Sequence, residues 1–296
     1  GSKRETLTSL RSACGYAPRV LAVTGTNGKT TVTALTGVLV ERSGASVAVA
    51  GNIGPALLDT LAQHIDAGTL PEVWVLELSS FQLDAPAPFE PSAATVLNLT
   101  QDHLDWHGDM AAYAAAKARI FGNAGLMVLN REDEVVMRMH AAASAVVSPE
   151  AGVRGKPAKL ITRDCITFGG DMPQRPGDYG IENVNGMAWL VRSQEADETR
   201  KRSTRRSAAA QAEPEELFIQ RLIPADALRI RGRHNAVNAL AALALAQAAG
   251  CSLGPMLYGL REYRGEPHRL ESVALIDGVE YFDDSKGTNV GATVAA

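Results

Sequence analysis

The chain has 296 residues, of which 46% are hydrophobic and 21% charged, and its formal net charge is -4. This composition is typical of a globular protein with enough interior to fold without cross-links. The negative balance argues against a general affinity for nucleic acid, which needs a strong positive field, but it allows a local basic pocket for phosphates. The sequence contains no apolar run long enough to span a bilayer, so neither nucleic acid nor membrane is expected as a partner.

The cysteines and the chain ends give a second set of expectations. Cys14, Cys165 and Cys251 are far apart and odd in number, which indicates no disulfide framework and favours a reducing cytoplasm. The opening Gly1-Ser2 resembles a cloning scar, and residues 1–18 are assigned to this scar and an interdomain linker. The closing GTNVGATVAA is helix-like without a stop signal, so the natural protein is expected to continue.

The first half of the chain predicts alternating strands and helices. Arg19–Thr24 is typical of a short buried strand, and the periodic stretch Thr30–Glu41 predicts a helix. Four more Val- and Leu-rich segments resemble strands: SVAVAG, EVWVLELSS, AATVLNLT and GLMVLN. Helical segments are predicted near Pro55–Ala67 and Met110–Phe121. This alternation predicts an α/β fold, a mostly parallel sheet flanked by helices on both faces.

The second half changes in character. From about Ala158 to Ile223, the segments CITFGG, MAWLVRS and ELFIQRL predict a small antiparallel subregion. Within it, Ser193–Glu216 has almost no large apolar residue and mixes both charges, which favours a disordered loop over a basic nucleic-acid arm. The stretch NAVNALAALALAQAAG predicts a helix that stops at Gly250, and ESVALID and VEYFDDS predict a hairpin around Gly278.

The clearest chemical signal is a glycine-containing turn between the first strand and the first helix. Such a turn presents free backbone N–H groups and the helix dipole to an anion. Gly28 allows phosphates to approach closely, Lys29 supplies a positive charge, and the Thr30 hydroxyl is placed to hold Mg²⁺. Val23 stands where a strict Walker A motif has glycine. The turn predicts a phosphate site made by Gly25, Thr26, Asn27, Gly28, Lys29, Thr30 and Thr31.

Polar residues follow the next strands, where ligands of open parallel sheets bind. Glu77 ends an apolar strand and is either a magnesium ligand or a solvated charge. Asp102, His103 and Asp105 share one loop, and metal binding, base catalysis and loop polarity all remain open for them. Lys117, on an Ala-rich helix, is by itself typical of a surface lysine.

Three later motifs are also polar. Asn235 and Asn238, three residues apart at a helix start, point the same way and are suited to a flat polar ligand edge or to capping. Pro267-His268-Arg269 and Asp283-Asp284-Ser285-Lys286 flank the last strands, near the end of the sheet or simply on the surface.

Together these motifs resemble the ATP-dependent Mur ligases, whose relatives include folylpolyglutamate synthetase. The shared features occur in order: GTNGKT, a downstream Glu, a His in an N-x-x-x-DH loop, a lysine on the next helix, and an H/F-N-x-x-N helix start. GNIG, LELSSFQL, PHR and DSKGTN further resemble the branch that adds D-glutamate. The similarity implies that residues 19–284 are a P-loop NTPase-like central domain, with 285–296 as a linker to a missing C-terminal domain.

The resemblance also implies cofactors and roles. ATP and Mg²⁺ would be bound, with Lys29, His103 and Lys117 catalytic. Thr30 and Glu77 would hold one Mg²⁺, and His103 a second one supported by Lys117, which matches a lysine that becomes carbamylated. The nucleotide-side positions implied are Asn235, Asn238, Arg269 and Asp284, and those near the substrate are Asn52, Ser79 and Lys286.

The implied reaction phosphorylates the carboxylate of UDP-N-acetylmuramoyl-L-alanine and lets D-glutamate attack the acyl phosphate, for peptidoglycan precursor synthesis. A monomer is expected, and this stretch alone is expected to be inactive. The alternatives are a folylpolyglutamate synthetase-like ligase and a non-catalytic nucleotide-binding switch. The GNIG and ELSSFQL motifs disfavour the first, and the ordered lysine and asparagine pair disfavour the second.

Overall fold

The computed structural model describes residues 15–85, 88–144, 163–196 and 217–295. The strands are β1 (Arg19–Thr24), β2 (Val47–Gly51), β3 (Val73–Glu77), β4 (Ala93–Val96), β5 (Leu126–Asn130), β6 (Cys165–Phe168), β7 (Tyr179–Val184), β8 (Met187–Glu195), β9 (Leu217–Pro224), β10 (Glu271–Ile276) and β11 (Val279–Asp283). The helices are α1 (Lys29–Arg42), α2 (Leu57–Ala67), α3 (Ser80–Asp84), α4 (Leu104–His107), α5 (Met110–Ala118), α6 (Glu134–Ser144), α7 (Arg233–Ala248), α8 (Leu253–Glu262) and α9 (Val290–Ala295).

The first six strands form one parallel sheet in the order β2-β3-β1-β4-β5-β6. The predicted parallel sheet is thus confirmed, while the strand order was not predicted. β1 is central, because it pairs with β3 on one side and β4 on the other. The chain fills one side of β1 before it crosses to the other, so the carboxyl end of β1 is a topological switch point. Ligands of open α/β sheets bind in the crevice at such a point.

The sheet is covered on both faces because β1 alternates its side chains between two cores. Leu21 and Val23 are fully buried in the larger core, which includes α1, α7 and α8. Ala22 belongs to the opposite core, with Tyr113 of α5 and Val136 of α6. α7 is rich in Ala and Leu around its whole circumference and is correspondingly buried from Ala239 to Ala246.

The antiparallel subregion is smaller than predicted. CITF is not part of it: β6 pairs in parallel with β5 and extends the main sheet, because its apolar residues are covered there. The antiparallel sheet is β7-β8-β9, and its first strand was not predicted. The start of the predicted disordered loop at Ser193 is also wrong, because Ser193 is fully buried and pairs with Ile219. Residues 197–216 of that loop lie outside the described residues.

The predicted C-terminal hairpin is confirmed. β10 and β11 pair antiparallel around Asp277 and Gly278, whose φ angles of 50° and 80° suit a two-residue hairpin turn. Large apolar side chains on both strands are exposed, among them Leu275 and Val279. Along the described ranges, no helix combines the length and the apolar character needed to cross a membrane.

Candidate functional site

The predicted phosphate turn lies at the carboxyl end of β1, between it and α1. Gly28 caps the helix with φ 83°, a left-handed conformation that favours glycine, and a Cβ there would come within 2.8 Å of Asn238 Oδ1. The first intrahelical hydrogen bond runs from Val32 N to Gly28 O (3.0 Å). The N–H groups before Val32 therefore have no acceptor within the helix and can face an anion.

Lys29 folds back over the turn. Its Nζ donates to Gly25 O at 3.1 Å and to Thr26 O at 2.9 Å. Burial lowers the pKa of Lys29, and the nearby Glu77 carboxylate acts in the opposite direction. The ammonium group is thus held at the turn by two carbonyls that phosphate oxygens can replace as hydrogen-bond acceptors.

Glu77, at the end of β3, is buried with 2% of its surface exposed. Its Oε1 accepts from Asn52 Nδ2 at 3.0 Å, while Oε2 is buried without a hydrogen-bond partner among the described residues. Gly51 lets the backbones at the ends of β2 and β3 approach closely, since a Cβ there would lie 2.2 Å from the Glu77 carbonyl oxygen. A buried carboxylate oxygen without a donor is costly unless a cation binds it, so this site fits a hard divalent metal.

Lys117 is buried, contrary to the surface position that its helix alone suggested, with 2% exposure. Its Nζ donates to Thr24 Oγ1 at 3.1 Å and to Gly25 O at 3.0 Å, and it lies 4.9 Å from the centre of the Tyr113 ring. Burial lowers the pKa of Lys117 to about 7, and the positive charge of Lys29 contributes in the same direction. Both lysines thus converge on the Gly25 carbonyl from different sides.

His103 is the N-cap residue of α4, with φ 52°, and lies beside the same tyrosine. The ring centres of His103 and Tyr113 are 6.4 Å apart, and His103 Nε2 is 3.7 Å from Asp102 Oδ2. Phe81 covers His103 with a ring-centre distance of 4.8 Å. His103 and Lys117 are therefore both neighbours of Tyr113.

Arg269 reaches the phosphate turn from the far end of the chain. Its Nη2 donates to Thr30 Oγ1 at 2.8 Å, across 239 residues of sequence. The hydroxyl that the sequence assigns to Mg²⁺ thus already accepts one hydrogen bond. A hydroxyl oxygen has two lone pairs, so Thr30 can accept from Arg269 and still coordinate a cation.

The predicted nucleotide-side residues meet in a cleft of about 280 Å³ beside the turn. The residues assigned from the sequence that line it are Asn27, Gly28, Thr31, Asn235, Asn238, Arg269, Asp284 and Lys286. The asparagine pair is in contact, since Asn238 Nδ2 donates to Asn235 Oδ1 at 3.3 Å. Lys286 lies here, whereas it was grouped with the substrate-side residues Asn52 and Ser79.

Ser79, predicted to lie near the substrate, uses its side chain to cap a helix. It caps α3: its Oγ accepts from Gln82 N at 3.2 Å, and Gln82 Oε1 accepts from Ser79 N at 2.9 Å. This reciprocal capping box fixes the helix that follows β3. Asn52, by contrast, contacts the Glu77 carboxylate directly and so lies beside the candidate metal position.

Sequence reasoning gave no role to Asn98, the first residue of the N-x-x-x-DH loop, and did not single out Tyr113. Asn98 contacts the backbone of Asn27, and the Tyr113 hydroxyl lies 3.2 Å from Thr26 Oγ1. The available signal for Asn98 was its position, a polar residue just after β4 at the edge where the turn lies. Tyr113 gave no such signal, because an aromatic residue on an Ala-rich helix is usually part of a core.

A second group of possible metal ligands lies away from the turn. His268, Glu271 and Asp283 bring one ligand atom each within 4.8 Å at the base of the hairpin. His268 Nδ1 and Asp283 Oδ2 are 2.6 Å apart, and this hydrogen bond, helped by Ser285, lowers the pKa of Asp283 to about 2. The group is solvent-accessible and its members already pair with one another.

Comparison with known proteins agrees with this arrangement. Residues 23–157 match the model of the Mur ligase middle domain. UDP-N-acetylmuramoylalanine--D-glutamate ligase of Albidiferax ferrireducens is 68% identical over 292 residues, covering 99% of this chain and 54% of that protein. The enzyme of the same name from Burkholderia pseudomallei is 58% identical over 286 residues, covering 96% and 54%. The chain spans about half the length of these curated relatives.

Solved structures show the same fold. MurF from Acinetobacter baumannii superimposes with a TM-score of 0.63 at 20% identity, covering 96% of this chain and 54% of that one. MurF ligase from Thermotoga maritima, solved with ADP, gives a TM-score of 0.60 at 18% identity, covering 97% and 58%. Motif order, site geometry and these similarities lead to one conclusion: the chain belongs to the Mur ligase family.

Proposed function

We propose that this chain supplies the ATP- and Mg²⁺-binding part of a ligase that joins D-glutamate to UDP-N-acetylmuramoyl-L-alanine. The observation that carries the proposal is the convergence of Lys29, Lys117 and the buried Glu77 carboxylate around one phosphate turn. This turn lies in a chain 68% identical to a ligase named for that reaction. Residues 19–284 would form the nucleotide-binding domain. Asn289, from the segment 285–296, donates to Asn27 Oδ1 at 2.9 Å and so helps to close the cleft.

The phosphates would bind along the turn and the cleft beside it. Lys29 and the first N–H groups of α1 would neutralise and orient the transferring phosphoryl group. Arg269, which donates to Thr30 Oγ1 and lines the cleft, would face the same phosphates. The cleft behind Gly28, with Asn235 and Asn238, offers amide edges to the rest of the nucleotide.

Magnesium fits the donors present. Thr30 and Glu77 would hold one ion, for which the unpartnered Oε2 of Glu77 is the supporting observation. His103 and Lys117 would serve a second, and at neutral pH Lys117 has a neutral fraction, the form of an amine that reacts with CO₂. When bound, Mg²⁺ supplies charge neutralisation on the phosphates.

In the proposed reaction, the substrate carboxylate takes the γ-phosphoryl group and releases ADP. The amine of D-glutamate then attacks the acyl phosphate and expels inorganic phosphate, forming the amide bond. Asn52 and Ser79, which follow β2 and β3 and do not line the nucleotide cleft, would line the approach of the carboxylate. Lys286 would contribute its positive charge from the nucleotide cleft, which it lines.

The test is substrate-dependent ATP consumption by the natural full-length protein. ADP release is expected only when UDP-N-acetylmuramoyl-L-alanine and D-glutamate are both present, with L-glutamate as the matched control. ADP release that needs neither substrate would favour a nucleotide switch. Release with a folate acceptor and glutamate would favour a folylpolyglutamate synthetase-like ligase. Either result would overturn the proposal.

A further inference from the structure

The first part of the phosphate turn is hydrogen-bonded to the loop that follows β4. Leu97 N donates to Thr24 O at 2.9 Å, and Thr26 N donates to Asn98 O at 2.9 Å. Thr100 N then donates to Thr26 Oγ1 at 3.0 Å. Two backbone hydrogen bonds and one to a side-chain hydroxyl thus join Thr24 and Thr26 to this loop.

Asn98 extends this pairing with its side chain. Its Oδ1 accepts from Asn27 N at 2.8 Å, and its Nδ2 donates to Asn27 O at 3.1 Å. One side-chain amide thus satisfies both backbone groups of Asn27, as a neighbouring strand would. The Asn27 N–H points at Asn98 and not at a ligand, so the anion site begins after Asn27.

We propose that Asn98 is a positioning residue for the nucleotide phosphates, acting through the backbone of Asn27. The inference rests on the proposed function, because it assumes that phosphates bind at the turn. Asn98 lines the nucleotide cleft, yet both of its amide groups are already engaged with Asn27. Its contribution is therefore the shape of the turn and not a contact of its own with the ligand.

The physical reason lies in the residue that follows Asn27. Gly28 has a left-handed φ and the widest conformational freedom of any residue type, so the turn loses much entropy when it is ordered. Fixing both groups of Asn27 just before Gly28 orders the turn before the ligand arrives, which lowers the entropic cost of binding. Without Asn98, phosphate binding would have to order this segment itself.

Asn130 provides a matched control. It is also an asparagine at the carboxyl edge of the sheet, and it also makes two hydrogen bonds, from Nδ2 to Leu97 O at 2.8 Å and from Glu132 N to Oδ1 at 3.0 Å. Their partners, Leu97 O and Glu132 N, lie outside Gly25–Thr31, and Leu97 directly precedes Asn98, so Asn130 is a control for the packing of this loop without a contact to Asn27. Asn98→Leu and Asn130→Leu remove a comparable number of hydrogen bonds with a similar change in side-chain shape.

The experiment measures ATP affinity, thermal stability and hydrogen exchange of the Asn27 amide in the full-length protein. Asn98→Leu is expected to weaken ATP binding about tenfold or more and to speed exchange at Asn27, since about one or two net hydrogen bonds are lost. Asn130→Leu is expected to keep ATP affinity within about twofold at a similar loss of thermal stability. Equal loss of affinity in both variants, or none in Asn98→Leu, would overturn the proposal.

Should Asn98→Leu fail to fold, Asn98→Asp replaces it. The aspartate keeps the acceptor for Asn27 N–H but turns an oxygen towards the Asn27 carbonyl, so ATP affinity should still fall relative to Asn130→Asp. Unchanged affinity in Asn98→Asp would also count against the role. Binding is measured separately from ligation, so a protein that binds ATP without using D-glutamate would refute the proposed function and still test Asn98.

Discussion

Charged groups come together in two regions, at the carboxyl end of the central strand β1 and at the hairpin β10–β11. The first region is buried and the second is exposed to solvent. At the carboxyl end of β1, Glu77 and Lys117 are almost completely buried, and their partners are one backbone carbonyl, a hydroxyl and an amide. At the hairpin, Asp283 and His268 pair directly in contact with solvent. Buried charges must be compensated by specific contacts or ligands, whereas exposed pairs contribute little.

The comparison shows where function is expected to lie. The Lys117 ammonium and the unpartnered Glu77 oxygen keep their positions only because the surrounding core fixes them, at a cost in stability. The hairpin group has no such cost, because water solvates it. Substitutions at the first region should therefore change ligand binding strongly, and those at the second should change only local titration.

Lys29→Ala should have the largest effect. Removing this ammonium is expected to weaken ATP binding by about 1.5–3 kcal/mol, the size of a hydrogen bond to a charged group, or about ten- to a hundredfold. The fold should persist, because the side chain contacts only carbonyls of the turn. Titration with ATP and circular dichroism measure the two effects.

Arg138→Ala is the control for Lys29→Ala. It removes a positive charge whose partner is the exposed Glu134 on the same helix, away from the turn. ATP affinity should be unchanged. An unchanged affinity in Lys29→Ala as well would remove Lys29 from the phosphate site.

Glu77→Gln should have the next largest effect, and on the metal specifically. The amide keeps the size of the side chain but loses the charge that a divalent cation needs. The Mg²⁺ concentration needed for thermal stabilisation by ATP should then rise at least about tenfold. The exposed Glu134→Gln is the control with the same chemical change. A Mg²⁺ titration of the melting temperature in ATP that did not distinguish Glu77→Gln from wild type would argue against Glu77 as a ligand.

The sequence predicted the parts of this site that depend on neighbours along the chain. The strand, turn and helix around Gly28 follow one another directly in the sequence. The two strands of the hairpin are likewise separated only by Asp277 and Gly278. Gly250, with φ 83°, also follows the end of α7 closely, as predicted. In each case a local rule for glycine or for apolar periodicity is sufficient.

The rest depends on contacts between distant segments. The burial of Lys117 follows from its contacts with Thr24 and Gly25, more than 90 residues earlier in the chain, and not from its Ala-rich helix. The contact between Arg269 and Thr30 joins residues 239 apart. The place of β6 in the main sheet depends on its pairing with β5, which no property of CITF specifies. Family resemblance supplied several of these residues where local rules had left them open.

Lys117 should also make stability depend on pH. Its folded pKa of about 7 lies below the ordinary lysine value of 10.5, so between these values the unfolded chain binds more protons than the folded one. Unfolding then becomes less favourable as pH rises, and wild type should gain stability relative to Lys117→Met from about pH 7 to pH 10. Each kcal/mol regained should raise the melting temperature by about 2–4 °C. Parallel melting curves for both proteins over this range would mean that Lys117 is not desolvated.

The hairpin should show the smallest effect. In His268→Ala the main cause of the low pKa of Asp283 is removed, while the hydrogen bond from Ser285 N at 2.9 Å remains. The pKa of Asp283 should therefore rise from about 2 but stay below its ordinary value of 3.8. A depressed carboxyl pKa stabilises the fold above the unfolded value, and this contribution is lost as pH falls through the folded one. Any stability difference between wild type and His268→Ala should thus shrink only below about pH 4. At pH 7 the difference should be small, with melting temperatures that agree within about 1 °C, because the pair is exposed. An NMR titration of the Asp283 carboxyl and melting curves at both pH values test this. A loss of several degrees at pH 7 would mean that the two regions are coupled, and that the pair supports the cleft which Arg269, the residue next to His268, lines.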